Sequence, residues 1–310
     1  MNNISGNKLY GLDKYILEII YLFKTNKLPN QILLSGNKGN GKSTLAYHLI
    51  NFIFSLNEEH KYDLKNLTFN QNNKSYKLIS NYSHPNFFLI DIKEDKKNID
   101  INQIRDMITF SNKSSFNNKP RFVLIDNIEH LNKNSVNALL KIIEEPTDNL
   151  FFILIHNNKK NILATLRSRC ITFKINLSFD ESIKITNSIL KENLFELINT
   201  DLINYYNSPG DFIRLINFAK DKKINLKDFT FTSLLFYLLD NAFYKKDNEV
   251  KNFIIDYMEL YLFSLYKLNS NKKDILNIYN YFSKKIDDIN KFNLDYESLF
   301  MEFKSKVLNG

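Results

Sequence analysis

Gln31-Ile32-Leu33-Leu34-Ser35-Gly36-Asn37-Lys38-Gly39-Asn40-Gly41-Lys42-Ser43-Thr44 is the stretch on which the fold turns. Its first five residues are an apolar run of strand length. The next eight match G-x-x-x-x-G-K-[ST], and residues 42–54 continue as a helix. The whole chain has 7 glycines, and Gly36, Gly39 and Gly41 fall within six residues. Such a loop lets successive backbone N–H groups face phosphate oxygens, and the helix N-terminus adds positive potential. Lys42 is placed to reach the β and γ phosphates, and Ser43 to offer its hydroxyl to Mg²⁺, with Thr44 beside it. The candidate nucleotide set is therefore Gly36, Asn37, Lys38, Gly39, Asn40, Gly41, Lys42, Ser43 and Thr44. A chance match, or a loop that no longer binds, is the competing reading.

Working outward, further apolar runs occur at Phe87–Asp91, Arg121–Asp126, Leu150–Ile155 and Cys170–Ile175, separated by helical patterns. That alternation predicts a parallel sheet flanked by helices. Asp100 and Gln103 form a variant capping box at the start of a helix over 101–110. Val136, Leu139, Leu140 and Ile143 share one face of a helix over 135–145, which Pro146 should end. Residues 55–83 are polar and poorly periodic and read as an insertion or long loop. Beyond residue 175 the strand signals stop. Residues 179–224 read as a short helical bundle and 226–308 as longer helices: 232–243, 249–268 and 272–285.

Phe122-Val123-Leu124-Ile125-Asp126 is a run ending in an acid, as a Mg²⁺-binding strand would be; a plain turn residue is the alternative for Asp126. In hydrolysing enzymes Glu often follows. Here it is Asn127, whose amide can position water but cannot take its proton. Glu129 stands two residues further on, out of place for that role.

Composition sets the background. The 310 residues include 42 Lys+Arg and 34 Asp+Glu, a net charge of +8. The excess lies wholly before residue 177, which suits phosphate-bearing partners or merely a solvated surface. Lysine outnumbers arginine 37 to 5, and Asn reaches 46, a bias that weakens arguments from charge alone. It draws attention to Arg105, Arg121, Arg167, Arg169 and Arg214, because a planar five-donor fork is not replaced by lysine. One cysteine excludes a disulfide framework and a four-Cys zinc site. No apolar run reaches the ~20 residues that span a bilayer, and no secretory signal is visible, so a cytoplasmic protein without a membrane partner is expected.

The order of motifs is distinctive: the loop at 36–43, Ser83-His84-Pro85-Asn86, Ile101–Arg105, Leu124–Asn127, Ser135-Val136-Asn137-Ala138-Leu139-Leu140-Lys141-Ile142-Ile143-Glu144-Glu145-Pro146, and Leu166-Arg167-Ser168-Arg169-Cys170. It resembles the AAA+ clamp-loader family, on the delta-prime side of bacterial DNA polymerase III. The signature covers 31–175. The resemblance implies an α/β P-loop domain with a parallel sheet over 1–177, a helical lid over 178–225, and an all-helical collar over 226–310. It implies ATP and Mg²⁺ as ligands through Lys42, Ser43 and Asp126. Partners would be other subunits of a hetero-oligomeric ring, the sliding clamp, and primed DNA held by its backbone phosphates. Arg169 matches the arginine that reaches a neighbour's ATP; a surface arginine capping the preceding helix is the alternative. Arg214 falls in the lid's sensor segment, and Arg105 on the helix facing DNA; both have surface readings too. Of the Ser/Thr-Asn expected after the fourth strand, His156-Asn157 keeps only Asn. Relatives' zinc module has no counterpart at 55–83. An intact loop beside Asn127 implies binding without efficient turnover. An ATP-hydrolysing motor subunit, another P-loop ATPase, or a scaffold without nucleotide are the competing classes.

Overall fold

The computed structural model describes residues 6–93, 96, 98–113, 119–145, 147, 149–158, 161–245, 248–268, 272–292 and 294–308. In chain order the elements are α1 (Asp13–Lys24), β1 (Gln31–Ser35), α2 (Lys42–Ser55), α3 (Lys74–Ser80), β2 (Phe87–Ile90), α4 (Ile101–Ser111), β3 (Arg121–Ile125), α5 (Lys133–Glu144), β4 (Leu150–His156), α6 (Ala164–Arg167) and β5 (Ile171–Lys174). The rest is helical: α7 (Phe179–Leu190), α8 (Leu194–Leu197), α9 (Pro209–Lys222), α10 (Phe231–Asp240), α11 (Asn248–Leu268), α12 (Lys272–Phe292) and α13 (Glu297–Phe303). Two compact units divide the chain, Met1–Glu192 with Tyr205–Leu215, and Asn193–Asn204 with Ile216–Gly310.

The first unit holds one five-stranded sheet of order β2-β3-β4-β1-β5, parallel throughout. Strands buried on both faces need apolar residues on both, and all five residues of β3 are buried. The pleat sends alternate side chains to two separate cores. Ile32, Leu34, Phe122, Leu124, Ile153 and Ile155 join Ile16 and Ile19 of α1 and Leu45, Leu49 and Ile53 of α2. Leu33, Val123, Ile125, Phe152 and Leu154 join Ile104 and Met107 of α4 and Val136, Leu139 and Ile143 of α5. The result is a three-layer α/β sandwich whose strand C-termini share one edge, where open α/β sheets bind ligands.

Local signals act as expected from the sequence. Asp100 accepts the Asn102 N–H at 3.0 Å, and Gln103 Oε1 accepts the Asp100 N–H at 3.1 Å, closing the capping box. Asn132 caps α5 through Ser135 N at 2.8 Å. Pro146, read as its terminator, lies outside the described residues. Arg121 spends its fork inside the fold. It is 4% exposed, and Nη1 donates to the α4 carbonyls of Phe110 and Ser111 while Nη2 donates to Thr147 Oγ1 at 2.8 Å, so it caps that helix.

Residues 55–83 differ from their reading as a loop. Tyr62, Leu67, Phe69 and Ile79 are buried in the α1/α2 core, and α3 lies within the segment. Polar knots replace periodicity. Glu58 accepts Asn73 Nδ2 at 2.7 Å, Ser75 N at 3.2 Å and Ser75 Oγ at 2.5 Å. His84 accepts Asn86 N–H at Nδ1, so Nε2 carries the proton and donates to Ser75 Oγ at 3.2 Å. The serine proton therefore points to Glu58, away from the imidazole, and the trio is a structural stitch that cannot generate a nucleophile. Burial holds His84 neutral, its pKa down at about 4. Glu58→Ala would strip acceptors from three donors in a buried cluster. It should cost about 1–3 kcal/mol in chemical denaturation, with Glu58→Gln recovering part.

In the second unit, Leu234, Leu235, Leu238 and Leu239 of α10 and Phe253, Ile254, Tyr257 and Met258 of α11 are buried. So are Phe282 of α12 and Phe300 and Phe303 of α13. Phe231 stacks on Tyr257 at 5.2 Å, and Phe282 meets Phe303 edge-on at 5.1 Å. Among the described residues no helix is long and apolar enough to cross a membrane.

Candidate functional site

The glycine loop leaves β1 at the sheet's C-terminal edge. Gly36 N–H donates to His156 O of β4 at 3.2 Å, and a Cβ at Gly36 would fall 2.3 Å from Ile175 O, so no side chain fits. Gly39 and Gly41 have φ of 84° and 79°, the left-handed region that glycine enters without strain. Asn40 is buried and anchors the loop from its own side chain, Nδ2 donating to Ile175 O at 3.0 Å. Asn37 and Lys38 are exposed.

Lys42 is 3% exposed and folds across the loop, Nζ donating to Gly36 O at 2.8 Å and Asn37 O at 2.7 Å. An ammonium has three donors, so one remains for an anion. Burial lowers its pKa to about 8, Asp126 and Glu129 pull it back up, and Lys38 adds to the lowering. Asp126 closes β3, 6% exposed, its N–H held by Ile90 O at 2.9 Å. Burial raises its pKa to about 6, helped by the Asp91 charge and opposed by the Asn127 N–H, Ser43 and Lys42. Ser43 Oγ is buried with no aligned hydrogen-bond partner among the described residues, though near enough to Asp126 to favour its anion. An orphaned hydroxyl beside a buried carboxylate and ammonium is the donor set that a magnesium-bound triphosphate completes, so these residues fit that ligand. Thr44 follows Ser43 in the first turn of α2, half-buried.

Asn127 is not free to act on water alone. In αL geometry (φ 57°), its Nδ2 donates to Asp91 Oδ1 at 2.7 Å, and its Oδ1 accepts Asn157 Nδ2 at 2.7 Å. Asn157 N–H points at Glu129 Oε2 at 3.4 Å, on the single 3-10 turn Ile128–His130. A polar strip, Asp91–Asn127–Asn157–Glu129, thus runs along the ends of β2, β3 and β4. In the sequence Asp91 reads only as a strand end, although it closes an apolar run just as Asp126 does. Glu129 stands out of register for the catalytic position, yet the fold brings its charge to bear on Lys42.

The start of α9 meets the glycine loop at Gly210. Gly210 N–H donates to Gly39 O at 3.1 Å, and a Cβ on Gly210 would lie 2.6 Å from Gly39 Cα. Ser208 and Asp211 fix that turn reciprocally, Ser208 Oγ donating to Asp211 Oδ2 at 2.8 Å and accepting Asp211 N–H at 3.2 Å. Arg214 stands one turn further along and pairs with Asp211. Arg105 is exposed on α4, Nη1 donating to Asn102 Oδ1 at 3.3 Å. Arg167 ends α6, and Arg169 follows two residues later. Arg169 Nη1 donates to Thr165 O at 2.9 Å, and Nη2 pairs with Glu144 Oε1 at 2.6 Å. Cys170 is half-buried, and burial lifts its thiol to about 11, which leaves it inert.

A parallel sheet, a glycine loop entering a helix, and a buried acid ending a nearby strand define a P-loop α/β protein, the fold that the AAA+ resemblance implies. The model of the family described as DNA polymerase III, delta subunit matches residues 13–178. The chain belongs to that family, as a delta-prime-like clamp-loader subunit of DNA polymerase III, as its motifs led one to expect. The DNA polymerase III subunit delta' of Buchnera aphidicola subsp. Schizaphis graminum is 29% identical over 287 residues, 88% of this chain and 83% of that one. The subunit gamma of the same organism is 33% identical over 239 residues, 73% of this chain and 62% of its own. A solved DNA polymerase III gamma subunit-related protein of Thermotoga maritima superposes with a TM-score of 0.40 at 14% identity, covering 84% of this chain and 77% of that one.

Proposed function

We propose that this subunit is a stator of its clamp loader. It holds ATP and Mg²⁺ through the loop at 36–44 and Asp126 with little hydrolysis, and it lends Arg169 to the ATP site of a neighbouring subunit. Bound Mg²⁺ would supply charge neutralisation at the phosphates; the chain's own residues bind and orient. The three-domain plan of 1–177, 178–225 and 226–310 belongs to the same reading, with the last segment joining subunits in a ring. So do the sliding clamp and primed DNA as partners, Arg105 touching backbone phosphate, and Arg214 near the nucleotide.

The observation that carries this reading is the environment of Asn127. No carboxylate stands directly after Asp126, and the amide that replaces it is tied to Asp91 and Asn157. A general base must be free to accept a proton. Glu129, whose charge reaches Lys42, favours the rival reading of an autonomous ATPase.

Turnover by the isolated chain separates the two. The stator reading expects background hydrolysis that Glu129→Gln leaves unchanged. It also expects Asn127→Glu alone to stay at background, because the new carboxylate would face Asp91 where an amide now donates. Brisk hydrolysis by the isolated chain, lost in Glu129→Gln, would establish the motor reading instead.

A further inference from the structure

We infer that Glu144 is the positioning residue for Arg169, aiming its guanidinium at the neighbour's triphosphate; this rests on the stator reading above. Glu144 is the last residue of α5, and Glu145 follows as its C-cap. Two acids at the negative end of a helix dipole break a local rule that favours cations there. Local rules are broken where something else is gained. The gain is a fixed arginine, because Glu144 Oε1 sits 2.6 Å from Arg169 Nη2.

The anchor is itself rigid. The neighbouring Ile143 is 3% exposed in the core, and its carbonyl accepts Gln31 Nε2 of β1 at 3.0 Å. The end of α5 is thereby pinned to the central sheet, and Glu144 with it. On the other side, Thr165 O of α6 accepts Nη1 at 2.9 Å. Two fixed acceptors hold a planar fork in one orientation. Of its five N–H donors, three remain for an incoming anion. Both partners are partly open, at 38% and 48% side-chain exposure, so the pair adds little to stability and the arginine stays accessible. A long flexible side chain gains most from being ordered before its ligand arrives.

The test is steady-state ATP hydrolysis by the reconstituted clamp loader carrying variants of this subunit. Glu144→Ala should lower kcat by about tenfold to a hundredfold with KM little changed, the size expected when a transition-state contact is misaligned. Glu144→Gln keeps an acceptor and should restore most of the loss. In an Arg169→Ala background, Glu144→Ala should add nothing, and the melting temperature should not move. Wild-type or faster turnover with Glu144→Ala, while Arg169→Ala is inactive, would overturn the inference and leave the stator reading standing. An equal loss in the Arg169→Ala background would also overturn it, marking Glu144 as structural. Full turnover with Arg169→Ala would sink the stator reading itself.

Discussion

ATP hydrolysis by the assembled clamp loader should fall by about 10³-fold or more when Arg169 is replaced by alanine, with nucleotide affinity nearly unchanged. Arg169 lies between the short α6 and the apolar β5, so its backbone is set by the sheet. The side chain is 38% exposed and, among the described residues, pairs with Thr165 O and Glu144. Its truncation removes no core contact, and the isolated subunit should melt as the wild type does. Any loss of turnover must then arise across a subunit boundary. A guanidinium neutralises charge that builds on the γ-phosphate in the transition state and does little for the ground state, so the loss should fall on kcat. Arg169→Lys should not rescue it, because a point charge cannot keep both anchors and still present a planar edge. Unchanged kcat in the assembled complex would refute the role.

Much of this site is legible in the sequence, and what is not has a physical reason. The loop at 36–43 is local. Its glycines announce a turn, although only the fold explains Gly36, which yields to the Ile175 carbonyl from a strand far along the chain. Of the later strands, β3 and β4 read as apolar runs because both faces are buried, whereas the edge strand β5 exposes Ile171 and Lys174; boundaries are shifted by a residue or so. Asn127 is legible as the absence of an acid. Its ties to Asp91 and Asn157 are not, since they join residues 36 and 30 positions apart. Nothing in the sequence around Gly210 says that it packs on Gly39. Residues 55–83 defeat periodicity altogether, because their order comes from Glu58, Asn73, Ser75 and His84 meeting across the segment rather than from a repeating apolar face. Patterns report faces, whereas hydrogen-bonded clusters depend on which distant residues the faces bring together.

Lys42→Ala should weaken binding of a fluorescent ATP analogue by about 10²-fold or more. Each hydrogen bond between charged groups is worth about 1.5–3 kcal/mol, and the loop also loses the clamp that Nζ forms across the Gly36 and Asn37 carbonyls. The same residue predicts a pH limit. In the nucleotide-free protein Lys42 titrates at about 8, so it is cationic below that and neutral above, and affinity should decline as pH rises through about 8. Asp126 titrates at about 6, so it is anionic above that, and the magnesium-dependent part of affinity should decline as pH falls through about 6. Bound phosphate favours the ammonium and bound Mg²⁺ favours the carboxylate, so both limits move outward when ligand is present. Titrations on either side of each value, with and without magnesium, read the two limbs separately. Lys42→Ala should abolish the alkaline limb and keep the acid one, and an alkaline limb that survives in that variant would assign it to another group.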